Sequence, residues 1–354
     1  MEDRLSRALG IDVPIVLGPF GGLSSVELTS AVSEHGGLGS YGLYGYDAHQ
    51  IAETAARLRD ATARPFALNL WLPTGDEVEP GQVDLTAAGA AVASFFSELE
   101  IDEPALPSRF LPGVDEQLDA VMAAAPAVLS VVFGVPGAGV IDAAHARGIR
   151  VVAGATTVAE AVALEAADVD AIVASGAEAA GHRVSFLAPA EHSLVGTFAL
   201  VPQVVDAVGV PVIAAGGIAD RRGVAAAFAL GAAGVQVGTA FLRTRQSAAS
   251  EDHRTAIAGA TDVTSVLTRA MSGRLSRGIP NRAMRTIEAA AAADPAAIAP
   301  FPAQNWLTGR FRAEAGRRGI GDLQSLWAGQ AAGLATRDDA ADVFAELAAG
   351  LPSV

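Results

Sequence analysis

The sequence predicts an α/β protein built as a (β/α)8 TIM-type barrel with insertions and a helical C-terminal extension. Three observations carry this expectation. Eight short apolar, β-branched runs punctuated by glycine alternate with longer segments of helical composition. The runs are apolar almost without interruption, which suits strands covered on both faces, as in a closed parallel sheet. Two of them end in glycine turns where the backbone can meet a phosphate: Val210 to Ala215 breaks at Gly216-Gly217, and Gly234 to Val237 breaks at Gly238-Thr239. A doubly wound open sheet is the alternative assembly of the same elements. The 354 residues, 51% hydrophobic, suffice for a barrel of about 250 residues plus insertions, and are read as one domain spanning 1–354.

The elements follow in order. Strands are expected at Val13–Leu17, Gly37–Tyr41, Pro65–Leu70, Ala127–Phe133, Ile149–Ala153, Ala171–Ala174 and the two runs above, each short and β-branched or glycine-bounded. Helices are expected at Ser25–Glu34, Ala48–Asp60, Asp115–Ala125, Gly137–Arg147, Val158–Ala167, Leu200–Ala207 and Asp220–Leu230, from their length and alanine-rich composition. Two stretches break the rhythm. Leu72 to Pro112 carries several prolines and acids and reads as an insertion. The chain after Arg243 far exceeds one closing helix and reads as an extension of helices and loops over the barrel mouth, with late helices at Ser325–Leu334 and Asp338–Ala349.

Composition removes many chemistries. The chain contains no Cys and no Lys, so a thiol nucleophile, a disulfide, a thiolate metal site, a Schiff base and a pyridoxal linkage are all excluded. Its six histidines show no HxH or HExxH spacing, and no metal site is expected. A net charge of −15 disfavours nucleic acid and anionic membranes. The apolar runs stop short of the roughly 18 residues of a membrane span, and the first residues lack a signal-peptide pattern. A cytoplasmic monomer or homodimer is expected. The five arginines between Arg269 and Arg285 read as a solvated face without assigned chemistry.

The candidate site gathers at the C-terminal ends of the late strands. The loop after the sixth strand, from Ala174 to Arg183, sets His182 among small residues, where barrel enzymes carry catalytic groups. A histidine there has an ordinary titration range suited to proton abstraction near neutral pH. Glycines of the two turns let backbone N–H groups approach a phosphate, with following helix N-termini adding partial positive charge.

At these residues the chain resembles the nitronate monooxygenase (2-nitropropane dioxygenase) family. The resemblance rests on SGAEAAGHR at Ser175, AAGGI at Ala214 and QVGT at Gln236, and extends through PIVLGPFGG at Pro14, GGLGSYG at Gly36, RPFALNL at Arg64, VAGATTVAEA at Val152, SGRLSRGIPNR at Ser272 and LWAGQAAGLA at Leu326. It implies FMN in the barrel. Asn69 would then hydrogen-bond the flavin. Gly216, Gly217 and the turn Gln236, Val237, Gly238 and Thr239 would take its ribityl phosphate, with Ser175, Ala180 and Gly181 beside the cofactor and His182 as catalytic base. The chain departs from the family pattern at Ser175 and Ala180, where Gln and Gly are usual, and at Val132, where a His is common. Ala180 is harmless at negative φ and strained at positive φ.

The implied reaction is oxidation of alkyl nitronates, and of nitroalkanes as a further substrate, by dioxygen to a carbonyl compound and nitrite. Phe20, Trp71 and Phe133 read as core side chains. Flavin-dependent enoyl-acyl carrier protein reductases and NAD(P)H:quinone reductases share the glycine turns and the histidine. A flavin-binding protein without turnover and a flavin-free phosphosugar enzyme remain as further readings.

Overall fold

The computed structural model describes residues 4–352. Its strands are β1 (Ile15–Leu17), β2 (Gly39–Gly42), β3 (Phe66–Trp71), β4 (Val128–Val132), β5 (Arg150–Ala155), β6 (Ala171–Ser175), β7 (Gly181–His182), β8 (Val212–Ala215), β9 (Gly234–Val237), β10 (Val266–Thr268) and β11 (Ser276–Gly278). Eight of these form one parallel sheet in the order β1-β9-β8-β6-β5-β4-β3-β2. A parallel bridge between Val16 and Leu38 joins its two ends. The sheet is therefore a (β/α)8 barrel, not a doubly wound open sheet, and all eight expected runs supply its strands.

Strand alternation divides the core in two. Leu68, Leu70, Leu129, Val131, Val151, Ile172, Val235 and Val237 face outward and pack with helical residues such as Leu28, Leu58, Val121 and Leu164. Val16, Ala67, Val128, Val152, Ala171, Val173 and Ile213 face inward and pack with Leu5, Leu9 and Ile11, so the helix Arg4–Leu9 plugs the N-terminal mouth. Gly234 is the close approach that admits this plug: a Cβ there would meet Leu5 Cδ2 at 2.3 Å and Pro14 O at 2.8 Å. The same parity turns Asn69, Ser130, Ser175 and Gln236 inward at the opposite, C-terminal end, where polar groups line a mouth instead of a packed core.

The stretch 72–112, expected as an insertion, contributes the helix Thr86–Glu98. Its Phe95 and Phe96 pack on Phe311, Met284 and Ile287 of the helices Ala303–Arg318 and Arg282–Ala293 from the extension. A second small sheet, β10-β11-β7, ties the extension to the loop after β6: Ser276 pairs with His182, and Arg277 with Gly181. The last helix, Ala340–Ala348, packs against Val26–Glu34 and Arg221–Ala229 and fills the eighth helical position of the barrel.

One expected helix is absent. Ser325–Leu334 runs as extended chain through a bridge from Trp327 to Gly278, ending in a single tight turn at Ala332–Leu334. Ile279 N–H donates to Leu326 O at 2.7 Å, and Gly329 lies so close to the loop after β6 that a Cβ would meet Glu178 O at 2.7 Å. These long-range contacts override the helical composition of an alanine-rich segment. Among the described residues no helix is long and apolar enough to cross a membrane.

Candidate active site

A cavity of about 770 Å³ opens at the C-terminal ends of the barrel strands. Asn69, Ser175, Ala180, Gly181, His182, Gly216, Gly217, Gln236, Gly238 and Thr239 all line it. Val237 does not. It points outward into the strand–helix core, 1% exposed, and its carbonyl accepts from Gly18 N–H at 2.8 Å.

The loop carrying His182 is held by two charges, the buried Arg183 and the half-buried Glu178. Arg183 donates to the carbonyls of Gly176 (2.6 Å), Ser175 (3.0 Å) and Ser193 (3.0 Å), which folds the loop back on itself. Burial pushes this guanidinium down to about 10, still charged at neutral pH. Glu178 accepts from Thr197 N–H at 2.9 and 3.0 Å and from its hydroxyl at 2.9 Å, and so caps the helix Thr197–Ala207. Ala180 has no positive φ and takes its methyl without strain, while Gly181 bends the chain at φ +70°.

His182 Nε2 lies 2.8 Å from Ser272 Oγ. Ser272 is also 3.2 Å from Arg274 O, the longer contact. Ser272 Oγ can donate to Arg274 O, and its contact with Nε2 runs in the direction that the imidazole tautomer sets; Nδ1 has no protein acceptor among the described residues. Trp71 sits edge-on at 4.8 Å and Trp327 at 5.5 Å. Protein surrounds the ring, although its edge still meets solvent through the cavity. This burial, together with the positive charges of Arg274 and Arg312, pushes the imidazole down to about 3. The sequence reading gave it an ordinary titration range, and that is corrected: His182 is neutral at physiological pH and a weak base.

The phosphate-like cradle also differs in detail. The N–H groups of Gly217 and Gly238 have no protein acceptor among the described residues. The helix after Gly216-Gly217 is capped by its own Asp220, which accepts from Arg222 and Gly223 N–H. The helix after Gly238 is only four residues long. The unpartnered donors of these turns are loop amides, not helix N-termini. Gly216 and Gly217 adopt φ +101° and +74°, the left-handed region that favours glycine.

Inside the barrel, Asn69 Nδ2 donates to Ser130 Oγ (3.1 Å) and O (3.3 Å), which turns its carbonyl oxygen free, while Ser175 and Gln236 side chains have no protein partner among the described residues. These groups fit a polar heteroaromatic ring, and the cradle fits its phosphate arm. Phe20 and Trp71 line the cavity and are not core; Phe133 is buried behind Trp71 at 4.8 Å. Val132 makes its stretch of wall apolar.

Several lining residues escaped the sequence reading: Tyr44, Asn305, Arg312, Trp327 and His253. His253 Nε2 contacts Trp327 O at 2.9 Å, and burial pushes this imidazole down to about 4. The Arg-rich stretch is not one solvated face. Arg269 and Arg282 pair at the surface with Glu191 (2.5 Å) and Glu98 (2.6 Å), but Arg274 and Arg277 are buried. Arg277 holds Ala177 O at 2.9 Å, and Arg274 stacks over Phe301 at 4.0 Å. The register of β11 with β7 sets the place of Arg277, while Arg274, two residues before β11, is held by Asp76, Glu77 and Phe301.

Fold and cavity together define a TIM-barrel enzyme with its site at the C-terminal strand ends. The family model described as nitronate monooxygenase matches residues 2–350. A probable nitronate monooxygenase of Staphylococcus aureus is 36% identical over 347 residues, covering 98% of this chain and 96% of that protein. Among solved structures, nitroalkane oxidase from Streptomyces ansochromogenes is 34% identical with a TM-score of 0.85, covering 98% of this chain and 97% of that one. FabK from Thermotoga maritima is 27% identical with a TM-score of 0.77, covering 98% and 95%. The chain belongs to the nitronate monooxygenase family, a family of oxidoreductases.

Proposed function

We propose that the protein oxidises alkyl nitronates with dioxygen, using FMN, to a carbonyl compound and nitrite. The observation that carries this reading is one cavity that joins the free amides of Gly217 and Gly238 to His182. In it, Gly216, Gly217, Gly238 and Thr239 hold the FMN phosphate, Asn69, Ser175 and Gln236 hold the ring, and Ala180 and Gly181 pack beside it. When bound, FMN supplies the electron transfer between nitronate and dioxygen. His182 donates its Nδ1 proton to the nitro oxygens and orients the anion; Ser272 fixes the ring that does so. Trp71, Phe20 and Val132 exclude water from the carbon end of the substrate. The place of action in this reading is the cytoplasm.

The test is oxygen consumption and nitrite release with purified, FMN-loaded protein across a panel of nitronates, with NADH and NADPH as controls. Brisk oxygen uptake on a nitronate and slow flavin reduction by either nicotinamide supports the reading. Rapid flavin reduction by NADH or NADPH without nitronate turnover rejects it in favour of a reductase.

A further inference from the structure

One cation in the cavity wall lacks a counter-ion. Arg312, on the helix Ala303–Arg318, donates through Nη1 to Ser325 Oγ (2.7 Å) and through Nη2 to Asn305 O (3.0 Å) and Oδ1 (2.6 Å). All three acceptors are neutral. Asn305 Nδ2 donates in turn to Tyr44 OH at 2.9 Å, which fixes the amide with its oxygen toward the guanidinium. Among the described residues Arg312 has no ion pair, and its buried Nε has no acceptor. The neighbouring acid on its own helix, Glu314, is taken by Arg317 and Arg318. Arg274, the other cation near His182, is settled differently: it reaches Asp76 at 2.5 Å and Glu77 at 2.6 Å.

A half-buried guanidinium with a buried Nε and no charge partner is costly, and removal of its charge is not an available escape for arginine at neutral pH. Burial lowers Arg312 only to about 10. Its own helix presents Gly309, Ala313 and Gly316 to the cavity beside it, leaving space along that wall. None of Tyr44, Asn305 or Ser325 belongs to the glycine turns assigned to the phosphate.

We propose that Arg312 is a substrate-binding residue that supplies the counter-charge for an organic anion in the cavity, and so selects an ionised substrate over a neutral one of the same shape. Its assignment to the nitronate rests on the proposed function; the charge preference does not. The hydrogen bonds to Ser325 and Asn305 hold the guanidinium rigid, so little ordering is needed when the anion arrives.

The test uses butyrate, an unreactive aliphatic anion, and its neutral isostere butyramide, titrated into FMN-loaded protein with tryptophan fluorescence as the readout, since Trp71 and Trp327 line the cavity. Wild type is expected to bind butyrate at least about 10-fold tighter than butyramide. Arg312→Met should weaken butyrate by about 10- to 100-fold and leave butyramide unchanged, and Arg312→Lys should recover most of the loss. The Met variant should raise KM for ethyl nitronate more than it lowers kcat. Equal binding of acid and amide by wild type, or no saturable binding of butyrate, overturns the proposal whatever becomes of the variants. So does a Met variant that loses FMN while keeping butyrate, because the guanidinium would then serve the cofactor. Failure of nitronate turnover with the anion preference intact would reject the proposed reaction and leave Arg312 as an anion site.

Discussion

Ethyl nitronate should be a far better substrate than nitroethane, and the reason lies in the environment of His182. Neutral nitroethane must lose a proton before oxidation, and His182 is the base that the sequence places nearest the reaction. Its pKa of about 3 against the ordinary 6.5 makes proton uptake costlier by about 5 kcal/mol. If roughly half of that charge has developed at the transition state, the barrier rises by about 2.4 kcal/mol, or about 60-fold in rate. Pre-ionised ethyl nitronate needs no proton transfer to His182. The expected ratio of kcat/KM, nitronate over freshly diluted nitroethane at pH 7, is therefore at least about 50. Nitronate oxidation should show no inflection near pH 6.5 between pH 6 and 8, because the imidazole is neutral throughout that range. An oxygen electrode with stock nitroethane, either neutral or equilibrated in base, measures both quantities. Comparable kcat/KM values for the two forms, or a titration near 6.5, would refute the argument.

Three other outcomes follow from the same geometry. Ser272→Ala should lower kcat/KM for the nitronate about 10-fold by releasing His182, with Ser272→Thr restoring most of it; an Ala variant as active as wild type would show that the 2.8 Å contact does not orient the ring. Gly217→Ala places a left-handed φ of +74° on an alanine whose Cβ meets only Glu178 at 3.6 Å, so it should fold, lose about 1 kcal/mol of stability and weaken FMN several-fold. Gly216→Ala, with Thr197 Oγ1 at 3.0 Å and Ala179 N at 3.1 Å, should cost more in denaturant melts. His253 is held at about 4 when folded and returns to about 6.5 when unfolded, so the unfolded chain binds more protons between those values and stability falls as pH drops through that window. The full loss below pH 4 is about 3 kcal/mol, and His253→Gln should remove it from urea melts at pH 4 to 7, leaving the parallel contribution of His182.

The barrel was legible because its strands are covered on both faces: runs such as Val128–Val132 and Ala171–Ser175 are apolar and short, with glycine or proline near their ends. That the glycine turns and His182 meet at one cavity was legible because strand ends in such a fold converge. Val237 lies outside the cavity lining because strand parity sends its side chain outward. The extension was poorly legible. Its strands β10 and β11 have three residues each, too few for a periodic signal, and Ser325–Leu334 has helical composition but is fixed by contacts with residues some 150 positions away, such as Glu178. Arg274 and Arg312 look like any surface arginine in the sequence. Their approach to His182, and the burial of the imidazole that chiefly depresses its pKa, arise only when the extension closes over the barrel mouth.

The central claim is that loop amides of Gly217 and Gly238 grip a phosphate next to His182. Titration of flavin-free protein with FMN and with riboflavin, followed by quenching of flavin fluorescence, tests it most directly. The account predicts that FMN binds at least about 100-fold tighter, since several charge-assisted hydrogen bonds depend on its phosphate. Equal affinity for the two flavins, or no binding of either, would contradict it.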